Sequence, residues 1–299
     1  MDTWDEIRTA YHVARLGTVS GAAEALGVHH ATVIRHVDAL EGRLGTKLFQ
    51  RHPRGYTATE AGQDLLRVAS TTEDQFTQLV GRIRGQGAGV TGDLVVTSLP
   101  IFSPRIAPAL VAFMDDHPEV SVRFLSDERV YRLEYGEAHV AIRAGARPEE
   151  PDNIVQAFFT MEIALYATKG YLERHGEVTP GQWDGHRFVS IRSDSSRAPF
   201  YTWLSENVPS EQIRYRASRD RTVVDAVQSG AGIGFAPVAL VCNDPQMVQI
   251  MPPQPDWNVP VWLVTHVDLH RTAKVQTLVN FLKEQAKGWN ESAPGIAAG

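Results

Sequence analysis

The chain has 299 residues, 43% of them hydrophobic, a formal net charge of −6 and a single cysteine. Such a length and composition suit two globular domains or one large one and exclude a largely disordered chain. One thiol, Cys242, excludes an intramolecular disulfide. No apolar run after the acidic start Met1–Glu6 reads as a signal or a membrane span, so the expected location is the cytoplasm. The negative total argues against nucleic acid, whose binding relies on cations that displace condensed counterions. The distribution argues the other way: Arg35, Arg43, Lys47, Arg51 and Arg54 stand together with only Asp38 and Glu41 among them. A run like this is also the ordinary make-up of a solvated face, so charge by itself decides nothing.

In chain order, Ile7, Ala10, Tyr11 and Ala14 recur at helical spacing up to Gly17, a C-terminal cap. Ser20 is placed to cap a second helix through Ala22, Ala23 and Leu26, which ends at Gly27. A third helix carries Val33, Val37, Leu40 and Leu44 on one apolar stripe, leaving His29, His30, Thr32, Arg35 and His36 largely off it. Two short helices joined by a glycine turn, the second presenting polar and cationic residues outward, form the layout of a helix-turn-helix. Gln50–Thr57 contains Pro53 and Gly55 between two extended pieces and reads as a wing, with Arg51, Arg54 and Thr57 placed to meet phosphates.

From Thr59 the pattern is one long helix. Leu65, Ala69, Thr72, Phe76, Leu79 and Ile83 alternate in steps of four and three, the spacing of a heptad seam, and about 25 residues would span roughly 37 Å. The seam suits dimerisation, or else the packing of an amphipathic helix on its own domain. Gly85–Gly89 is the clearest linker.

Beyond Gly92 strands alternate with helices. Leu94–Val96, a helix starting at Ser103–Pro104, and Val120–Phe124 make a βαβ unit, the builder of parallel sheets with ligand crevices at their carboxyl ends. Further strands are expected at Val140–Ile142, Ile163–Tyr166, Arg187–Ile191, Ile213–Arg216, Ile233–Phe235 and Val259–Val264.

The N-terminal run Gly17–Leu26 with its paired Ala22–Ala23, followed by Leu40–Glu41, Leu44–Gly45, Leu48–Phe49, Arg51, Arg54, Thr57, Thr59 and Ala61–Gly62, resembles the signature of the LysR-type transcriptional regulators in order and spacing. Ala226–Pro237 resembles the same family's helix-turn-strand in the effector domain. The chain departs from the family at the third helix. It has His29–His30–Ala31 where a serine-glutamine-proline-like sequence is usual, and Ile34 at a later serine position. Histidine is a poorer N-cap than serine, and isoleucine donates no hydrogen bond.

The resemblance implies an α/β chain with an N-terminal all-α winged helix-turn-helix (1–60), a linker and dimerisation helix with a glycine-rich hinge (61–90), and a two-lobed effector domain like the periplasmic binding proteins (91–299). The lobes are expected at 91–164 plus 266–290 and at 165–265. It implies promoter DNA, a small-molecule effector, a second copy of the chain and RNA polymerase as partners, with no cofactor and no membrane. Candidate ligand residues are Ser98, Leu99, Pro100 and Ser103 in the turn after the first strand, where helix-terminal amides favour an anion. Arg143 ends a strand facing the cleft, and either a carboxylate ligand or an internal acid such as Asp127 or Glu128 would pair with it. On the second lobe stand Ser193, Arg197, Thr222 and Phe235, with Phe200 and Trp203 as an apolar wall. Together these point to a small carboxylate as the effector.

An enzyme is the competing class. The chain has no HExxH helix, P-loop or GxSxG elbow, Gly230–Gly234 lies between a helix and a strand rather than opening a helix, and His117, His139 and His186 lack metal-ligand spacing.

Overall fold

In the computed structural model, the structure describes residues 4–53, 55–83, 90–192 and 198–289, without the side chains of 71, 74, 75, 77–83 and 135. Three helices open the chain: α1 (Trp4–Leu16), α2 (Val19–Leu26) and α3 (His30–Leu44). They enclose a small core of Ala10, Val13, Ala22, Ala23, Val33, Val37 and Leu40, in which the alanines let the helices approach closely. The turn from α2 to α3 depends on Gly27, whose φ of 66° places the chain in the left-handed region. Thr18, not Ser20, caps α2: its Oγ1 accepts the Gly21 N–H at 3.1 Å, and Ser20 lies exposed one residue into the helix. His29 stands at the N-cap of α3 and makes no side-chain cap bond. Leu44, expected on the buried stripe, is 54% exposed, because α3 ends there on Gly45 and the core ends a turn earlier at Leu40 and Glu41.

The wing is an antiparallel hairpin, β1 (Phe49–His52) and β2 (Gly55–Ala58), with Phe49 opposite Ala58 and His52 opposite Gly55. From it leads α4 (Glu60–Ile83), 24 residues long.

A glycine-rich stretch later, the chain enters a first lobe with β3 (Gly92–Ser98), α5 (Ser103–Asp116), β4 (Val120–Ser126), β5 (Val140–Ala144) and β6 (Asn153–Met161). It crosses directly to a second lobe of β7 (Ile163–Thr168), α6 (Lys169–His175), β8 (Phe188–Ile191), α7 (Pro199–Asn207), β9 (Ile213–Ala217), α8 (Asp220–Gln228), β10 (Gly234–Pro237), α9 (Val238–Val241) and β11 (Met247–Met251). It then returns through β12 (Val259–His266), α10 (Val267–His270) and α11 (Ala273–Trp289).

In the first lobe the strand order is β4-β3-β5-β12-β6, with β3 parallel to β4 and β5 and with β12 antiparallel to both of its neighbours. The apolar run Leu94–Val96 is buried on both faces. Val96 and Leu94 share a core with α5 and α11, while Val95 meets Leu133, Ala141 and Val264 on the other side. Phe113 of α5, fully buried, sits 5.4 Å from the Phe281 ring of α11. Removing a side chain of that size from water contributes on the order of 2–3 kcal/mol.

The second lobe has β10-β7-β11 antiparallel and β8-β9 parallel, the two sets joined by a bridge between Phe188 and Ile233. The lobe boundary expected at residue 265 falls earlier. Val259–His266 pairs along its length with β6 and lies within the first lobe's sheet, and the outward crossing is at Glu162 between β6 and β7. The reason is β6, a strand not anticipated from the sequence, which supplies the ladder partner that draws β12 into the first sheet.

Candidate DNA-binding surface and ligand cleft

The exposed side of α3 carries His29, His30, Ala31, Ile34 and Arg35, with Thr32 half-buried beside them. His36 does not belong to that face. It turns toward α1, where its Nδ1 lies 2.9 Å from the Thr9 hydroxyl.

The cations of the basic segment have different fates. Arg43 pairs with Glu6 of α1. Glu41, whose side chain is 2% exposed, accepts Lys47 Nζ at 2.7 Å, the Leu48 and Phe49 N–H groups at 2.9 and 3.2 Å, and Arg51 at 3.1 Å. Burial alone would push the Glu41 pKa up; the hydrogen bonds from Lys47 and from the two backbone amides outweigh it and hold the carboxyl below the usual range. Arg51 also pairs with Asp38 at 2.5 Å and stacks on Tyr56, so its guanidinium ties the wing to α3. Arg54 lies outside the described residues, and Thr57 is exposed on β2. Among the described residues, Arg35 is the one cation of the segment exposed on α3 with no carboxylate partner.

The residues of the expected seam on α4 divide. Leu65 packs toward the helical core of its own domain, Ala69 is buried, and the Thr72 hydroxyl donates to the Val68 carbonyl at 2.8 Å. Phe76 is 50% exposed and meets the Trp4 ring edge-on at 5.4 Å. The side chains of Leu79 and Ile83 lie outside the described ones. Tyr11 fixes the helix to α1 by donating to Glu73 Oε2 at 2.6 Å.

Between the lobes is a cleft of about 570 Å³. The first lobe contributes Leu99, Ile101 and Ala144–Ala146; the second contributes Phe200, Tyr201, Asp220, Val224 and Phe235–Pro237; Asn258 and Val259 come from the returning crossover. Of the ligand residues expected from the sequence, Leu99, Phe200 and Phe235 line it. Trp203 stands behind them, 5.9 Å from Phe235 and 5.3 Å from Trp257, and so supports the wall.

The polar candidates lie elsewhere. Ser98 is buried in β3 and donates to the Leu99 carbonyl at 3.1 Å. Pro100 begins the single turn Pro100–Phe102 that precedes α5, and the helix starts at Ser103 as expected, with the Ser103 hydroxyl pairing with Ser126 at 2.7 Å. Arg143 bonds Glu150 at 3.1 Å and the Tyr131 carbonyl at 3.0 Å; neither Asp127 nor Glu128 is its partner. Thr222 is exposed and faces away, half a turn beyond Asp220, which lines the cleft in its place. Ser193 and Arg197 lie outside the described residues.

Three polar lining groups were missed in the sequence: Tyr201, Asp220 and Asn258. The Tyr201 hydroxyl donates to Asp220 Oδ1 at 2.9 Å. Burial raises the pKa of both, and for Asp220 the Tyr201 hydrogen bond works in the opposite sense. Asn258 Oδ1 is buried and has no hydrogen-bond partner among the described residues. The only signal for Asp220 was its position as an acid in the first turn of the helix before Gly230.

No group of His, Cys, Asp and Glu among the described residues has the arrangement of a metal site, and no described helix is long and apolar enough to cross a membrane.

Residues 4–63 match the family model of the bacterial regulatory helix-turn-helix proteins of the lysR family, and residues 87–287 match that of the LysR substrate binding domain. An HTH-type transcriptional repressor of Pseudomonas aeruginosa is 27% identical over 294 residues, covering 95% of this chain and 92% of that one. The HTH-type transcriptional regulator IlvY of Escherichia coli is 26% identical over 253 residues, covering 82% and 84%. Among solved structures, a full-length OxyR variant from P. aeruginosa superposes with a TM-score of 0.68 at 16% identity, covering 94% of this chain and 93% of that one. Full-length LysG of Corynebacterium glutamicum with bound effector Arg gives 0.66 at 18%, covering 95% and 97%. These two likenesses establish the shared fold. With both family models matched in order along one chain, the protein belongs to the LysR family and is a DNA-binding transcriptional regulator with a substrate-binding domain.

Proposed function

We propose that the protein controls transcription by seating α3 in the major groove of promoter DNA and by altering that binding when a small molecule enters the interlobe cleft. The observation that carries the DNA half is Arg35. Its neighbours Arg43, Lys47 and Arg51 are each held by an internal carboxylate, whereas Arg35 stands exposed on α3 without one among the described residues. A free guanidinium on a helix of this kind suits bidentate contact with guanine. His29, His30 and Thr32 flank it at the helix start; Ser20 on α2 and Thr57 and Arg54 on the wing are assigned to the phosphates.

Self-association through α4 follows the heptad spacing, with Phe76 exposed toward a partner. RNA polymerase is the expected downstream partner, and the cytoplasm, where the chromosome lies, the expected location. The catalytic alternative finds no support among the curated relatives, which are regulators.

The carboxylate class of effector is drawn from the turn at Ser98–Ser103, from Arg143 and from Ser193 and Arg197 together. Arg143 is engaged by Glu150 and Tyr131 and does not line the cleft, which leaves that class without a cation among the described lining residues.

The test is salt-titrated binding to the duplex upstream of the protein's own coding region against a scrambled duplex. Preferential binding that falls steeply with salt is expected; equal affinity for both duplexes would contradict the reading.

A further inference from the structure

We propose that the interlobe cleft takes an aromatic or similarly apolar molecule carrying a protonated amine, with the Asp220 carboxylate as its counter-ion. The inference rests on the reading of the cleft as the effector site and adds the chemical class of what enters it.

Three observations carry it. First, Asp220 is a half-buried carboxylate on the cleft wall whose one side-chain hydrogen-bond partner among the described residues is the neutral hydroxyl of Tyr201 at 2.9 Å. No cation pairs with it among the described residues. Its neighbour Arg219 is instead directed at Glu128, 3.7 Å away on the other lobe, and Glu128 adds a second negative charge to the Asp220 surroundings. A carboxylate removed from water without a cation is costly, and an incoming ammonium relieves that cost. The dipole of α8 favours an acid at this position but gives no reason for it to face a half-closed apolar cleft rather than water.

Second, Asn258 Oδ1, on a different element of the same cleft, is a buried acceptor with no partner among the described residues. It adds to the demand for a donor. Third, the remaining wall includes the rings of Phe200, Tyr201 and Phe235 together with Leu99, Ile101 and Val224. Aromatic faces pack against a ligand ring and attract a cation. A ligand carboxylate brought beside Asp220 would meet like charge at low dielectric, the reverse of the preference that Arg143 suggested.

The experiment is calorimetry of the full-length protein with three near-isosteric probes: phenethylamine, hydrocinnamate and hydrocinnamamide. Wild type is compared with Asp220→Asn and with Ala146→Trp, the latter placing bulk on an exposed position of the cleft rim. The expected result is that the amine binds about tenfold or more tightly than either other probe. That preference disappears in Asp220→Asn, and the amine is excluded by Ala146→Trp. Hydrocinnamate binding as well as the amine and excluded by Ala146→Trp would overturn the ligand class while leaving the cleft as the effector site. Amine binding untouched by Ala146→Trp would instead remove the cleft from the account. Failure of all three probes to bind at millimolar concentration would overturn the ligand class.

Discussion

The Arg51 guanidinium and the Glu41 carboxylate meet at 3.1 Å, joining the first strand of the wing to α3, the helix proposed for DNA recognition. Because Glu41 also accepts Leu48 N–H, Phe49 N–H and Lys47, it is the point from which the wing is hung. Glu41→Ala strands two buried amides and is expected to cost about 3 kcal/mol in urea unfolding. Arg51→Ala leaves those amides bonded and is expected to cost about 1 kcal/mol or less, since its own side chain is 37% exposed. Equal losses in the two variants would contradict this division of roles.

A close approach fixes the junction between wing and linker helix. A Cβ added at Gly62 would fall 2.1 Å from the Leu48 carbonyl oxygen, which belongs to backbone that cannot rotate away. Gly62→Ala is therefore expected to destabilise the N-terminal domain by about 2–3 kcal/mol, read as a lowered thermal midpoint. An unchanged midpoint would show that α4 can shift from the wing freely.

Acid should weaken the effector domain through His139. Its Nδ1 accepts the Val95 N–H at 2.9 Å, and burial, with Lys274 and Arg123 nearby, lowers its pKa to about 3. A histidine buried neutral binds its proton more readily when unfolded, so no penalty exists above the unfolded value of about 6.5, and one grows as pH falls from there toward 3. Between pH 6.5 and pH 4.5 this amounts to about 2–3 kcal/mol. His139→Asn, which retains an acceptor, is expected to flatten that acid limb in denaturant titrations; a variant with the wild-type slope would exclude His139 as its source.

Phe76 is half exposed beside Trp4, on the seam proposed for a second copy of α4. Phe76→Asp is expected to convert the assembled protein to monomer in sedimentation velocity by placing a charge in the seam. Sedimentation identical to wild type would assign the heptad spacing to packing within one domain alone, as Leu65 is packed.

The helical third of the chain was the most legible. Gly17, Gly27 and Gly45 stand where helices end, and Val33, Val37 and Leu40 repeat at the period of one buried face. Strands with buried runs, such as Leu94–Val96 and Ile163–Tyr166, were legible for the same reason. β6 and β11 were not. Each is an edge strand whose side chains are mostly half-buried on both faces, so neither shows the alternation or the apolar run by which a strand is read.

In the cleft, Leu99, Phe200 and Phe235 were found through turn chemistry and apolar character. The polar lining was not, because a charged residue's partner is set by three-dimensional neighbours. Arg143 met Glu150 instead of a ligand, and Asp220 and Asn258, from separate segments, came to share one cavity.

Whether α3 reads DNA sequence is decided by Arg35→Ala, measured as affinity against salt for the upstream duplex and for a scrambled one. Wild type is expected to prefer the upstream duplex, and the variant to lose about 1–3 kcal/mol on that duplex but little on the scrambled one. Equal affinity of wild type and variant for the upstream duplex, with wild type showing no preference over scrambled DNA, would contradict that role for α3.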